Sequence, residues 1–241
     1  MEDYAASYAA YLLQYYDEET VLTYLRQEGY RSLDDLQDMY LYSLKQGEFI
    51  ANYYTDHYDE YVKDVVDSEN PRIISHILVK VADVEEVTDE EGNTIHIAHP
   101  TDEESGRIEE ILKELETREF SDVAAQYSDD GSASNGGKLG LVTNTNASNY
   151  VQEFADTSLA LKPGEVSDVI TTTYGYHIIF AEEATTDDLF ADSDFLQLID
   201  TTHPEAFYLA VKEAADAQGV KIYSEDLLAA LDTTVTESEG E

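Results

Sequence analysis

The spacing of apolar residues along the sequence changes at Pro71, and this change limits the folds that the chain can adopt. Between residues 33 and 58, apolar and aromatic side chains recur at steps of three and four, which predicts helical structure over residues 1–70. Residues 72–81 are instead β-branched and almost wholly apolar, which predicts a buried strand. Because proline cannot continue a helix, the change falls at Pro71. The chain therefore combines a helical segment with a β-sheet.

Further short elements are expected after that strand. Residues 84–98 are acidic and place turn residues between two β-branched runs, which favours a hairpin. The glycine-rich stretch 128–137 favours a loop. Helices are expected near residues 102–117, 121–127, 150–158 and 203–217, and strands near residues 139–142, 169–172 and 176–182.

Composition excludes several functional classes. The 241 residues carry 13 Lys and Arg against 53 Asp and Glu, which gives a formal net charge of −40 at pH 7. Nucleic-acid backbones and anionic lipid headgroups repel such a chain. The absence of cysteine excludes disulfides, thiolate catalysis and lipidation of an N-terminal cysteine in this chain. Proteins, peptides and cations remain as partners, and no cofactor or metal is predicted.

Two histidines, His76 and His177, lie in the middle of apolar strands. Period-two alternation places His76 on the face of its strand opposite Ile77 and Val79. Taken alone, this pattern favours two separate structural histidines. A polar site shared between two strands is the alternative, and the motifs around the histidines support it.

Those motifs resemble the parvulin family of peptidyl-prolyl isomerases over residues 72–183. The matching stretches are His76-Ile77-Leu78-Val79, Tyr127-Ser128-Asp129-Asp130, Gly136-Gly137-Lys138-Leu139-Gly140, Phe154, Gly164-Glu165-Val166-Ser167 and Tyr174-Gly175-Tyr176-His177-Ile178-Ile179. The flanking helical segments resemble PrsA-like extracytoplasmic foldases and SurA-type chaperones. This resemblance implies an α+β fold: an FKBP-like, four-stranded antiparallel sheet with surrounding helices, inserted in an all-α chaperone module.

The resemblance and the composition together predict four segments. Residues 1–70 are a helical chaperone segment, and residues 71–184 are the parvulin domain. Residues 185–231 are a C-terminal segment that rejoins the helical module. Residues 232–241 are expected to be an acidic, disordered tail.

The resemblance also implies roles for individual residues. His76 and His177 match the two family histidines that share a hydrogen-bond network at the centre of the site. Asp130 matches a position held by cysteine or aspartate, and Thr172 matches the hydroxyl residue near His177. We expect these four residues to be catalytic. The residues expected around the substrate proline ring are Leu139, Val142, Tyr150 and Phe154. At Val142 the family usually has an aromatic residue, so one wall of the pocket is expected to be thinner.

These residue types suit the isomerisation of an X-Pro amide, which breaks no bond. Rotation about this amide faces a barrier of about 18–20 kcal/mol, so the enzyme must bind the twisted amide better than either planar form. We expect a preorganised polar network and no covalent intermediate. Phosphate-specific relatives carry a basic cluster where this chain has acidic residues 83–86, so no preference for phosphorylated substrates is predicted.

The expected function is therefore a peptidyl-prolyl cis-trans isomerase and folding chaperone for secreted proteins. The alternatives are an isomerase-inactive holdase chaperone, favoured by the departure at Val142, and an acidic interaction module without foldase activity. His96 and His99 could form a metal site, although a solvated hairpin with two incidental histidines is favoured.

Expected partners are unfolded or partly folded secreted proteins and X-Pro peptides, and a homodimer is left open. The resemblance implies an extracytoplasmic location, with membrane anchoring as a lipoprotein in the full-length form. The N-terminus lacks a signal-peptide pattern, and no stretch approaches the roughly 18 apolar residues of a membrane span. On this interpretation the chain is a trimmed form.

Overall fold

The computed structural model describes residues 1–88, 92 and 94–219. Their helices are α1 (Glu2–Tyr15), α2 (Glu18–Gln27), α3 (Asp35–Asp56), α4 (Tyr58–Tyr61), α5 (Lys63–Glu69), α6 (Asp102–Leu115), α7 (Phe120–Tyr127), α8 (Gln152–Ala160), α9 (Thr186–Ala191), α10 (Ser193–Thr202) and α11 (Ala206–Ala217). Their strands are β1 (Arg72–Lys80), β2 (Val84–Thr88), β3 (Thr94–Ala98), β4 (Lys138–Val142), β5 (Ile170–Thr172) and β6 (Gly175–Glu183). The predicted acidic tail and the end of the C-terminal segment lie outside the described residues.

The chain divides into two compact units. The first, which we call the helical unit, comprises Met1–Val62 and the segment that begins at His203. In it α1, α2 and α3 pack around a small apolar core that includes Val21, Leu25 and Leu36. The second, which we call the sheet unit, comprises Lys63–Thr202.

The unit boundaries differ from the domain boundaries predicted at residues 70 and 184. Helix α5 precedes the predicted start of the parvulin domain, yet it belongs to the sheet unit. Helices α9 and α10 were expected in the helical module and also belong to the sheet unit. The physical reason is packing: α10 buries Phe195 and Ile199 and contacts both α9 and α5.

The sheet is antiparallel and four-stranded, as predicted, and its strand order is β4-β1-β6-β5. The long central strands β1 and β6 pair over their whole lengths, from Arg72 opposite Glu183 to Lys80 opposite Gly175. β2 and β3 form a separate antiparallel hairpin, which matches the hairpin expected over residues 84–98. Most residues of the central strands are buried, so their nearly continuous apolar sequences follow from burial on both faces.

Each face of the sheet has its own apolar core. On one face Ile77, Val79 and Ile178 pack with residues of α6 and α7. On the other face Ile74 and Ile179 pack with Phe154 of α8. Period two along β1 and β6 places His76 and His177 on this second face. The predicted separation of His76 from Ile77 and Val79 is therefore observed.

Candidate active site

A hydrogen-bonded pair of histidines lies at the centre of the α8 face. Leu78 is the direct cross-strand partner of His177, so His76 and His177 are diagonal neighbours on adjacent strands. Their Nδ1 atoms are 3.1 Å apart, and both residues are buried. Nε2 of His177 lies 2.8 Å from the hydroxyl oxygen of Thr172, which is fully buried. The sheet register thus brings together three of the four predicted catalytic residues.

One assignment of protons gives this network a single direction. In this assignment the Thr172 hydroxyl oxygen accepts a hydrogen bond from the Tyr174 amide at 3.1 Å and donates its own proton to His177 Nε2. His177 then carries its proton on Nδ1 and donates it to His76 Nδ1. His76 carries its proton on Nε2, which faces the Asp130 carboxylate. The polar chain therefore runs in one direction, from Thr172 to Asp130.

Asp130 closes this network from the glycine-rich loop. Its Oδ1 atom lies 3.2 Å from His76 Nε2, although the two groups are not aligned as a full hydrogen bond. The same Oδ1 atom accepts hydrogen bonds from the Ser132 amide at 2.8 Å and the Ser132 hydroxyl at 2.6 Å. Burial alone would raise the pKa of Asp130, but the Ser132 hydrogen bonds and His76 hold it well below its usual range. Asp130 is therefore ionised at neutral pH and faces His76 as an anion.

The two histidines are neutral at neutral pH. Burial lowers the pKa of His177 to about 4, and the charge that His76 would carry adds to this shift. Burial also lowers the pKa of His76, while the nearby carboxylate of Asp130 opposes the shift. Neutral imidazoles can donate from one nitrogen and accept at the other, which the directional network requires.

Aromatic side chains lie directly against the histidines. The Phe154 ring meets the rings of His76 and His177 edge-on, with both centroid distances 5.4 Å. Tyr150 stacks on Phe154 at 5.2 Å and is half-buried, and burial raises the pKa of its hydroxyl. Leu139 is also half-buried and packs against the same core. Together they form an apolar lining over the polar network.

Val142 lies in a different environment from the other predicted pocket residues. Its side chain is 1% exposed and belongs to the apolar core with Ile74 and Ala181. Such a position offers almost no surface to a substrate, so any effect of Val142 on the pocket acts through packing. A direct contact between Val142 and the proline ring stays a prediction.

Two features that hold the loop were missed by sequence reasoning. Arg107 of α6 donates to both carboxylate oxygens of Asp129, and Asp129 also accepts a hydrogen bond from the Lys80 amide at 2.9 Å. This pairing fixes the residue next to Asp130, but nothing in the sequence links Arg107 to it. The second feature, the bonds from Ser132 to Asp130, follows an Asx-turn pattern that the sequence does contain.

A close approach of backbone explains the adjacent glycines of this loop. Gly137 has a φ of +78°, and a β carbon there would overlap the carbonyl oxygen of His76. Only glycine combines a positive φ with this absence of a side chain. Gly137 in turn accepts a hydrogen bond from the His76 amide at 2.9 Å, which anchors the loop beside the site.

The histidines of the β2–β3 hairpin contact different carboxylates. His96 contacts Glu153 of α8 through Nδ1 and lies 3.9 Å from Glu86 through Nε2. His99 lies 3.5 Å from Glu85. Among the described residues, no group of three or more potential ligands is arranged to hold a metal ion.

The sheet thus holds a buried histidine pair beside an acidic loop and an aromatic lining. Residues 76–183 match the family described as rotamase, the PPIC-type PPIASE domain. Over these residues the chain therefore matches a parvulin-type peptidyl-prolyl isomerase domain.

Relatives of the chain are known as foldases and chaperones. Foldase protein PrsA of Staphylococcus epidermidis is 33% identical over 175 residues, which cover 71% of this chain and 48% of that protein. Chaperone SurA of Shewanella oneidensis is 42% identical over 85 residues, 34% of this chain and 19% of that protein. The crystal structure of PrsA from Bacillus subtilis has a TM-score of 0.39 at 24% identity, covering 92% of this chain and 77% of that one.

Both curated matches span less than half of the relative's own length. Within the described ranges, no helix is long and apolar enough to cross a membrane.

Proposed function

We propose that this chain is a parvulin-type peptidyl-prolyl cis-trans isomerase and a folding chaperone for secreted proteins. The observation that carries the proposal is the continuous polar chain from Thr172 through His177 and His76 to Asp130, placed against the ring of Phe154. The matches to foldases and to the rotamase family support it.

The proposed mechanism is noncovalent stabilisation of the twisted amide. The proline ring lies against the half-buried surfaces of Tyr150 and Leu139, above Phe154, where apolar burial holds it while the preceding carbonyl rotates. Twisting removes amide resonance and changes the charge on the carbonyl oxygen and the nitrogen. The dipoles of the histidines are already oriented, so they stabilise the changed charge without having to move.

The roles of the four polar residues differ because their exposures differ. Thr172 is fully buried, so it acts by orienting His177. The histidines are buried, their lowered pKa values make them weak bases, and their ring nitrogens are engaged by each other and by Thr172, so they are poorly suited to act as nucleophile and base on an amide. Asp130 has a side chain 33% exposed and stays ionised, so it sets the electrostatic potential at the edge of the site.

Selectivity in this proposal follows from the charge around the site. Glu85 and Glu86 of the β2–β3 hairpin are exposed carboxylates in the segment where a phosphate-binding relative would be basic. A phosphoserine before the proline is repelled there, and a basic or neutral residue is preferred.

The chaperone activity is assigned to the helical unit. A groove of about 700 Å³ between its helices is lined by six tyrosines among its 14 residues, including Tyr8, Tyr16, Tyr24 and Tyr42. Tyr16, Tyr24 and Tyr42 are more than half exposed, so their rings are available to apolar or aromatic segments of a client. The same groove is the observation that favours the second candidate, a holdase that binds clients without isomerase turnover.

The proposed partners are unfolded or partly folded secreted proteins and X-Pro peptides. The proposed location is outside the cytoplasmic membrane, with the full-length protein anchored as a lipoprotein, and a homodimer is compatible with the proposal. The foldase relatives support this location.

The test is the cis-to-trans rate of short peptides with Ala, Lys, Glu or phosphoserine before proline. We expect catalysis by the parent chain, greatly reduced in His177→Ala and Asp130→Ala, and poorest for phosphoserine. His99→Ala, which removes a histidine that is half exposed on the hairpin, is the matched control and should retain the parent rate. A parent chain at the buffer rate that still prevents aggregation of an unfolded protein would replace the isomerase proposal with the holdase.

A further inference from the structure

The aromatic side chains of the helical unit are almost all tyrosine. Residues 1–62 contain 13 tyrosines and one phenylalanine, whereas residues 63–202 of the sheet unit contain four tyrosines and five phenylalanines. Tyrosine joins an apolar ring to a polar hydroxyl, so it suits a surface that stays partly in water. Six of the 13 are more than half exposed, namely Tyr4, Tyr11, Tyr15, Tyr16, Tyr24 and Tyr42.

The groove of about 700 Å³ in this unit, which we call the tyrosine groove, has an apolar floor and aromatic walls. Val21 and Leu36 line it from the small core of the unit and are 6% and 1% exposed. Tyr16, Tyr24 and Tyr42 also line it, and each ring is more than half exposed. The floor therefore offers apolar area, and the walls offer the faces of tyrosine rings.

The charge at this groove has one sign. Glu28 is the only charged side chain among the described residues that line it. Residues 1–62 carry 13 Asp and Glu against three Lys and Arg, and none of these three cations lines the groove. The groove therefore attracts cationic segments and repels anionic ones.

Glu28 lies on the same side of α2 as one of the tyrosine walls. It is the C-terminal cap of the helix and follows Tyr24 by four residues, a spacing that places two side chains on one helix face. The face of a tyrosine ring attracts an ammonium or guanidinium group, and the stem of lysine or arginine packs on apolar surface. The groove thus matches both the apolar stem and the charged end of such a side chain.

We propose that the tyrosine groove binds extended segments of unfolded clients in which lysine or arginine alternates with apolar residues. The apolar residues lie on the floor, and the cationic side chains lie on the tyrosine faces. The inference rests on the proposed chaperone function of the helical unit and names its substrate class. An aliphatic groove would select clients by apolar area alone, whereas this groove also selects them by charge.

The experiment measures the Kd of short fluorescent peptides for the full chain by fluorescence anisotropy. The arginine peptide alternates arginine with leucine and alanine and contains no proline, so isomerisation plays no part. The citrulline peptide replaces each arginine by citrulline, which keeps the shape of the side chain and removes its charge. We expect the arginine peptide to bind about tenfold more tightly at low salt, and this advantage to shrink as salt is added.

A triple variant tests the ring faces. Combining Tyr16→Leu, Tyr24→Leu and Tyr42→Leu keeps the groove apolar and removes three rings. We expect this variant to bind the arginine peptide about tenfold more weakly, while its Kd for the citrulline peptide changes less than about threefold. Retained citrulline binding also shows that the groove still forms. The three substitutions to phenylalanine keep the ring faces, so that variant should stay within about threefold of the parent.

A charge variant tests the carboxylate. Glu28→Gln should weaken binding of the arginine peptide about twofold. Glu48→Gln is the matched control, because it removes an exposed carboxylate of α3 that does not line the groove, and it should leave the Kd unchanged.

Two results would overturn the proposal. One is an equal Kd for the arginine and citrulline peptides. The other is an unchanged Kd for the arginine peptide in the leucine variant, since binding would then be diffuse attraction to an acidic chain. A parent chain that prevents aggregation of an unfolded protein yet does not distinguish the two peptides keeps its chaperone function and loses only this selectivity. If neither peptide binds, the assignment of chaperone activity to the helical unit fails as well.

Discussion

Protonation of His177 should destabilise the sheet unit as the pH falls. Burial lowers its pKa from an ordinary 6.5 to about 4 in the folded chain. Because the folded-state value is the lower one, the neutral histidine contributes stability above pH 6.5, and that contribution is lost as the pH falls towards 4. Integrating the proton linkage between pH 7 and pH 4.5 gives a loss of about 2 kcal/mol in the free energy of unfolding.

The assay is urea unfolding at several pH values in this range, followed through the NMR signals of amides in β1 and β6. These signals report on the sheet unit alone, which matters because the chain has two compact units. The comparison is between the parent chain and His177→Gln, which is uncharged at every pH. The parent should lose about 2 kcal/mol more than the variant between pH 7 and pH 4.5. The variant's lower overall stability does not affect this comparison, because it concerns only how the free energy of unfolding changes with pH. The same change with pH in both proteins would refute the reasoning.

Two further predictions concern the backbone and a helix end. Gly137→Ala should destabilise the sheet unit by about 3 kcal/mol or more, since the new methyl group overlaps the His76 carbonyl. Gly140→Ala, with a φ of +108° but no atom near its added β carbon, should cost only about 1 kcal/mol in the same urea titration. Similar losses in the two variants would contradict the overlap. Thr101→Ala removes the capping box that Thr101 forms with Glu104 at the start of α6, and should cost about 1 kcal/mol. Thr101→Ser keeps the hydroxyl and should stay within a few tenths of a kcal/mol of the parent, and a loss as large as that of Thr101→Ala would contradict the capping role.

Local pattern was sufficient to predict the strands and the hairpin, whereas the four-stranded sheet was implied by the family resemblance. The apolar run of β1 and the alternation around His76 each depend on residues close together in the sequence, so the strand and its face follow from period two. The same is true of the turn residues near position 92 and of the glycines before β4. The clustering of His76, His177, Asp130 and Thr172 was expected from family motifs, and the structure brings them together.

Long-range polar pairing could not be predicted. Arg107 holds Asp129 across 22 residues, and His96 reaches Glu153 across 57. Charged residues are so frequent in this chain that its sequence offers many equivalent partners for each cation. Local pattern could not predict the unit boundaries either, because they depend on tertiary packing such as that of α10 against α5.

The two central histidines are 101 residues apart in sequence although their rings are hydrogen-bonded. During synthesis, β1 and the loop with Asp130 exist well before β6 is made, and His76 has no imidazole partner until then. Closing so long a segment is costly in chain entropy, which makes the pairing of β1 with β6 a slow, late event in folding. On the proposed function, catalytic competence therefore arises with the last strand of the sheet. A nascent chain or fragment that ends before Gly175 would contain most of the pocket but could not yet assist the folding of another protein by isomerisation.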